Sequence, residues 1–102
     1  MSDGFGNTRT TGAGAIYRTS PGIVLTSSGG RFFLVTPLES IEVNESAVFY
    51  WKCMEKGATA EEMLDAASLR YEEEEPDLFR RDIRLFTDAC LKKQLITTAG
   101  GR

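Results

Sequence analysis

A chain of 102 residues has room for one domain. Its 41% hydrophobic and 26% charged residues are an ordinary globular composition, and a body of roughly 75 residues, burying about 60% of its unfolded surface, leaves little room for a walled catalytic cavity. A formal net charge of −3 repels a phosphate backbone, and the absence of histidine removes the commonest general base and the commonest metal ligand.

Residues 1–20 are mostly Gly, Thr, Ser, Asn and Arg, with Phe5, Ile16 and Tyr17 as scattered apolar groups. So few apolar contacts do not offset the entropy of ordering, and a flexible tail is expected over 1–20. The folded domain is expected over 21–97, with a frayed end over 98–102. From Ile23 the texture changes. Ile23 to Thr26 and Arg31 to Thr36 are β-rich runs around Ser27-Ser28-Gly29-Gly30, which predicts a hairpin. Pro37 cannot donate to a ladder and marks a corner, after which Glu39 to Val43 alternates polar and apolar as a half-buried third strand does. The run 31–36 is apolar on both faces, Phe32 with Leu34 and Phe33 with Val35. Its second face therefore needs a cover: the tail, a second copy of the chain, or a ligand.

Asn44 is an N-cap for a helix from Glu45 to about Lys56. Apolar residues from Ala47 to Met54 cover most of its circumference, as a central helix requires. Gly57 stands where a left-handed C-terminal cap is wanted. Thr59-Ala60-Glu61-Glu62 is a capping box, so a second helix begins at Ala60, with a core stripe through Met63, Leu64 and Ala67. The short Gly-containing link between these helices has the length of a helix-turn-helix. Glu72 to Glu75 and Pro76 end the second helix as a solvated acidic loop, whose last carboxylates favour the positive end of the next helix. The third helix, from about Leu78 to Lys93, places Phe79, Ile83, Phe86 and Cys90 on one face. Arg80, Arg84, Thr87 and Leu91 form one flank, and Leu78, Asp82, Leu85 and Ala89 the other. Leu95-Ile96-Thr97 closes the fold as a short strand or packed extension.

The order β-β-β-α-α-α defines an α+β class, an N-terminal three-stranded antiparallel sheet followed by three helices. Cys53 and Cys90 lack CxxC spacing and read as small buried hydrophobes with reduced thiols. No apolar stretch of signal-peptide type follows the start, so a cytoplasmic, non-membrane protein is expected. No G-x-S-x-G, phosphate loop or EF-hand spacing is present, and the carboxylates fall at caps and loops that structure already explains. Neither an enzyme nor a cofactor is expected.

Several segments resemble the PqqD family. Arg31 to Ala47 is similar to its hydrophobic strand, Pro-Glu-like corner and (L/V)-N-E-(T/S)-A helix start. Gly57 to Leu64 is similar to its G-x-T-x-E-E-(I/L) second helix. Arg81-Asp82-Ile83, through Phe86 to Leu95-Ile96, is similar to its third helix and tail. Leu38 separates Pro37 from Glu39, and Gln94 stands where many relatives have Gly. The resemblance covers about Gly22 to Ile96. It implies a winged helix-turn-helix and a non-enzymatic role as a peptide chaperone, the RiPP recognition element. Such modules bind the leader segment of a ribosomally made precursor peptide and present it to a modifying enzyme. That enzyme is a radical SAM protein in pyrroloquinoline quinone (PQQ) biosynthesis, and a leader peptidase or another modifying enzyme in lasso-peptide pathways.

If the strand over 39–43 is an edge, its free N–H and C=O groups offer a template for an extended peptide. Ser40, Ile41, Glu42 and Val43 would then carry the pairing, with the cleft toward the third helix supplying specificity. Arg80, Arg81 and Arg84 offer charge to an acidic leader, Leu85 and Leu91 offer apolar contact, and Thr87 shares the arginine flank. Which flank faces the strand is open. The expected affinity is on the order of micromolar. Two further readings stand beside this one. A docking adaptor would carry no peptide, and it or the carrier could be a homodimer. A winged-helix DNA regulator is disfavoured, because its second helix would bring Glu61, Glu62 and Asp65 to the groove against Arg70 alone.

Overall fold

In the computed structural model, which describes residues 14–99, the chain runs β1 (Ile16–Thr19), β2 (Val24–Ser28), β3 (Arg31–Val35), β4 (Ser40–Val43), α1 (Glu45–Glu55), β5 (Ala58–Thr59), α2 (Ala60–Arg70), α3 (Pro76–Lys92) and β6 (Ile96–Ala99). The expected three-stranded antiparallel sheet followed by three helices is present. It is the meander β2-β3-β4. Gly29 and Gly30 turn the first hairpin with φ of 60° and 80°, the pair of positive angles a type I′ turn needs. At the next corner the Thr36 hydroxyl accepts from the amides of Leu38 and Glu39, both at 3.0 Å, which fixes the bend around Pro37.

Register explains how the meander packs. Leu34 lies opposite Leu25 and Ile41, and Phe32 opposite Val43. Leu34 is buried, and Leu25, Ile41 and Val43 pack against the same core. On the outer face Phe33 lies opposite Thr26 and Glu42, and Val35 opposite Val24 and Ser40. Phe33 and Val35 are half-buried there and Val24 is exposed.

The helices start where local chemistry starts them. The Asn44 side chain accepts from Ala47 N at 2.9 Å. The capping box is complete: Thr59 Oγ1 accepts from Glu62 N at 3.1 Å, and Glu62 Oε1 from Thr59 N at 2.9 Å. Helix α3 begins at Pro76, two residues before the predicted Leu78, because proline at N1 sacrifices no helical hydrogen bond and its φ suits the first turn. Helix α1 is the central element. Tyr50, Trp51 and Met54 are fully enclosed, and they meet Met63 and Ala67 of α2 and Phe79, Ile83 and Cys90 of α3 in one core cluster. Aromatic contacts link Phe49 to Tyr50 and Tyr71, and Tyr50 to Phe86.

The expected tail over 1–20 is corrected where the structure reaches it; residues 1–13 lie outside the described residues. Ile16–Thr19 is the central strand of a second antiparallel sheet, β5-β1-β6. Ile16 and Tyr17 pair with Thr59 and Ala58 on one side, and Ile16 to Thr19 pair with Ala99 to Ile96 on the other. The predicted frayed end is corrected likewise, since Thr98 and Ala99 are paired strand residues; residues 100–102 lie outside the described residues. Four residues of strand inside a Gly/Thr/Ser-rich stretch carry too weak a local signal, and their stabilisation comes from distant partners. Arg18 extends this tie, its Nη1 donating to the Lys56 carbonyl at 3.4 Å at the end of α1. The guanidinium lies so near Gly57 (φ 85°) that a Cβ there would stand 2.8 Å from it.

Candidate functional site

Strand β4 pairs with β3 alone, so its other edge has no strand partner among the described residues. A groove of about 350 Å³ lies beside it, lined by Glu42 and Val43 of β4, by Asn44, Ala47 and Tyr50 at the start of α1, and by Asp82, Leu85 and Phe86 of α3. Alternation along β4 turns Ile41 and Val43 inward, where they are half-buried, and leaves Ser40 and Glu42 exposed. The groove thus has a backbone edge on one side and an apolar and acidic helix flank on the other. Leu85 is 57% exposed, which leaves much of its side chain free for contact.

The geometry decides between the two flanks of α3. Leu85, with Asp82, faces β4. Arg80, Arg81, Arg84 and Thr87 line a separate groove of about 660 Å³, together with Tyr17, Ala60, Glu61, Asp77 and Asp88. A helix turns about 100° per residue, so Arg80 and Leu85 point some 140° apart and cannot meet the same neighbour. Arg80 lies 3.6 Å from Glu61 and 3.8 Å from Asp77, which occupies its charge locally. Thr87 is 2% exposed, and its hydroxyl donates to the Arg84 carbonyl at 3.2 Å, the usual satisfaction of a threonine buried in a helix. Leu91 is 37% exposed and lines neither groove. Leu91 aside, the residues named from the sequence therefore fall into two groups, Ser40 to Val43 with Leu85 in one, and Arg80, Arg81, Arg84 and Thr87 in the other.

Six groove residues were absent from that list: Asn44, Ser46, Ala47 and Tyr50 of the α1 start, and Asp82 and Phe86 of α3. Asp82 and Phe86 follow from Leu85 by i−3 and i+1 once the flank is known. Tyr50 reads from sequence as core, because Ala47, Tyr50 and Met54 share a face, and nothing local says that its ring also floors a groove. The Tyr50 side chain is 2% exposed. Burial, and then the Asp82 carboxylate, with smaller effects of Tyr71 and Cys53, push its phenol up to about 12. Burial also raises the Cys53 thiol and pushes Cys90 up to about 12, so both free cysteines are held as unreactive thiols. Among the described residues no cluster of three metal-ligating side chains occurs, and no helix is long and apolar enough to cross a membrane.

Comparison with known proteins bears on this architecture. A comparison with curated proteins finds no match. A solved structure of TbiB1 in complex with the TbiA(beta) leader peptide is similar, with a TM-score of 0.66 at 22% identity, over 78% of this chain and 93% of that one. At that identity the likeness is one of fold. Residues 24–96 match the family described as Coenzyme PQQ synthesis protein D (PqqD), from the hairpin through all three helices to the closing strand. The chain belongs to the PqqD family.

Proposed function

We propose that this protein is a non-enzymatic peptide carrier, which takes up the leader segment of a ribosomally made precursor as an added strand on β4 and presents it to a modifying enzyme. The observation that carries the proposal is the open edge of β4 bordering a groove with α3. An extended segment laid there gains main-chain hydrogen bonds irrespective of its sequence, while the groove selects alternate side chains. Family membership and the fold shared with a leader-bound protein support the same reading. The partner enzyme would be a radical SAM protein, a leader peptidase or another modifying enzyme, and the setting a cytoplasm that keeps Cys53 and Cys90 reduced.

Hydrogen exchange tests strand addition directly. The full chain is titrated with synthetic leader segments of short peptides, taken from any open reading frames found beside its gene. Binding on the order of micromolar is expected, with amides of Ser40 to Val43 becoming protected. Leu85→Ala should weaken binding about 5-fold, and Val43→Asp at least about 10-fold, with the helical circular dichroism retained. Protection confined to the Arg80/Arg84 groove would place the ligand elsewhere; no saturable binding would favour an adaptor that docks protein without carrying peptide.

A further inference from the structure

The groove beside β4 has a chemistry that the strand template alone does not explain. Its charged lining is acidic, Glu42 on the strand and Asp82 on the helix, and no Lys or Arg lines it. Glu42 has a partial counter-charge, Arg31 at 3.8 Å, with both side chains largely exposed. Asp82 has no ion-pair partner among the described residues. Between these walls stands Tyr50, 98% buried by its 2% exposure, whose hydroxyl finds no hydrogen-bond partner among the described residues. A buried phenol is normally paired, and an unpaired one on a residue that lines a groove marks the place of a missing partner. Burial and Asp82 keep that phenol protonated, so its oxygen retains a lone pair to accept with and a proton to donate. Val43, Leu85 and Phe86 add an apolar surface next to the acid.

An anion would be repelled here, and a purely apolar side chain would leave the buried hydroxyl unserved and draw nothing from the exposed Asp82 carboxylate. A lysine or arginine satisfies all three features. Its methylene stem lies on Val43, Leu85 and Phe86, and its cationic head donates to Asp82 and to the Tyr50 oxygen. We propose that the groove is a selectivity pocket for one basic residue in the peptide paired along β4, with Asp82 as counter-ion and Tyr50 as the buried hydrogen-bond partner. This rests on the strand-addition reading above and adds to it the class of side chain recognised. It also reverses the expectation of an acidic leader that the arginines of α3 suggested, since those arginines line the other groove.

A displayed library of random dodecapeptides, selected on the full chain, tests both levels. Retained peptides should carry Lys or Arg at one fixed position, and Asp82→Lys should invert that position to Asp or Glu. A selected peptide remade with norleucine at that position should bind the native chain about 10-fold more weakly. The same replacement should matter less than about 3-fold in Asp82→Asn. Tyr50→Phe should weaken the basic peptide about 5-fold and leave the norleucine peptide unchanged, a difference that a merely structural role of the ring would not produce. Peptides retained without basic preference, or with a preference that Asp82→Lys leaves intact, overturn the pocket and leave strand addition standing. If no peptide is retained, or retained peptides leave the β4 amides unprotected, strand addition fails and the pocket with it.

Discussion

At Gln94 the backbone turns left-handed, with φ of 62°, in the only such non-glycine residue among those described. The reason is the end of α3. Leu95 N donates to the Cys90 carbonyl at 2.8 Å and Gln94 N to the Leu91 carbonyl at 3.1 Å, the paired bonds of a Schellman cap, and that cap places its C′ residue in the left-handed region. Ser20 reinforces it by donating from its hydroxyl to the Gln94 carbonyl at 3.0 Å. A side chain with a Cβ is strained there and glycine is not. Gln94→Gly should therefore stabilise the fold by about 1 kcal/mol, read as a higher urea midpoint at unchanged slope. The family pattern set beside the sequence has glycine at this point in many relatives, so the departure at Gln94 was visible in the sequence. What it costs was not, because the cost depends on the dihedral angle the cap imposes.

At the scale of elements, β1 has the largest consequence. It joins three parts of the chain that are far apart in sequence, the N-terminal segment, the turn between α1 and α2, and the closing strand. Ser20 N continues the tie by donating to the Leu95 carbonyl at 2.8 Å. If residues 1–20 were a tail, a chain beginning at Pro21 would be as stable as the whole. With β1 at the centre of a sheet, that shorter chain should lose about 3 kcal/mol or more in urea unfolding, as pairing on both sides of the strand and the Arg18 contact to Lys56 disappear. Helices were the opposite case. Asn44, the Thr59/Glu62 box and Gly57 act within one turn, so α1 and α2 were legible residue by residue before any tertiary contact was known.

Across the whole molecule one core cluster runs from Leu34 of the meander through Tyr50, Trp51 and Met54 to Cys90, Leu95 and Ile96. Elements that share such a core unfold together, and groups buried in it couple the fold to pH. Cys90 and Tyr50, with ordinary values of 9.0 and 10.0, are both held up to about 12 in the folded chain. Above pH 9 the unfolded chain releases protons that the folded chain keeps. The stability these groups contribute is therefore fully present below pH 9 and is lost as pH rises toward 12. Urea midpoints should fall steadily across that interval, and Cys90→Ala should flatten part of the fall. A midpoint independent of pH there would contradict the burial of both groups. With no histidine in the chain, no imidazole titration overlies this alkaline effect at lower pH.

Sequence by itself determined whatever is settled within a few residues: the two-glycine hairpin, the caps that begin α1 and α2, the apolar stripe of α3, and the family pattern that joins them. Tertiary structure alone decided the strand at Ile16–Thr19, the placement of Tyr50 under a groove, and the choice of the Leu85 flank over the arginine flank beside β4. The physical reason is the range of the forces involved. Capping and turn chemistry act between neighbours along the chain. Helical periodicity says which side chains share a face but not what that face meets, and a short strand exists only through partners that folding brings from tens of residues away.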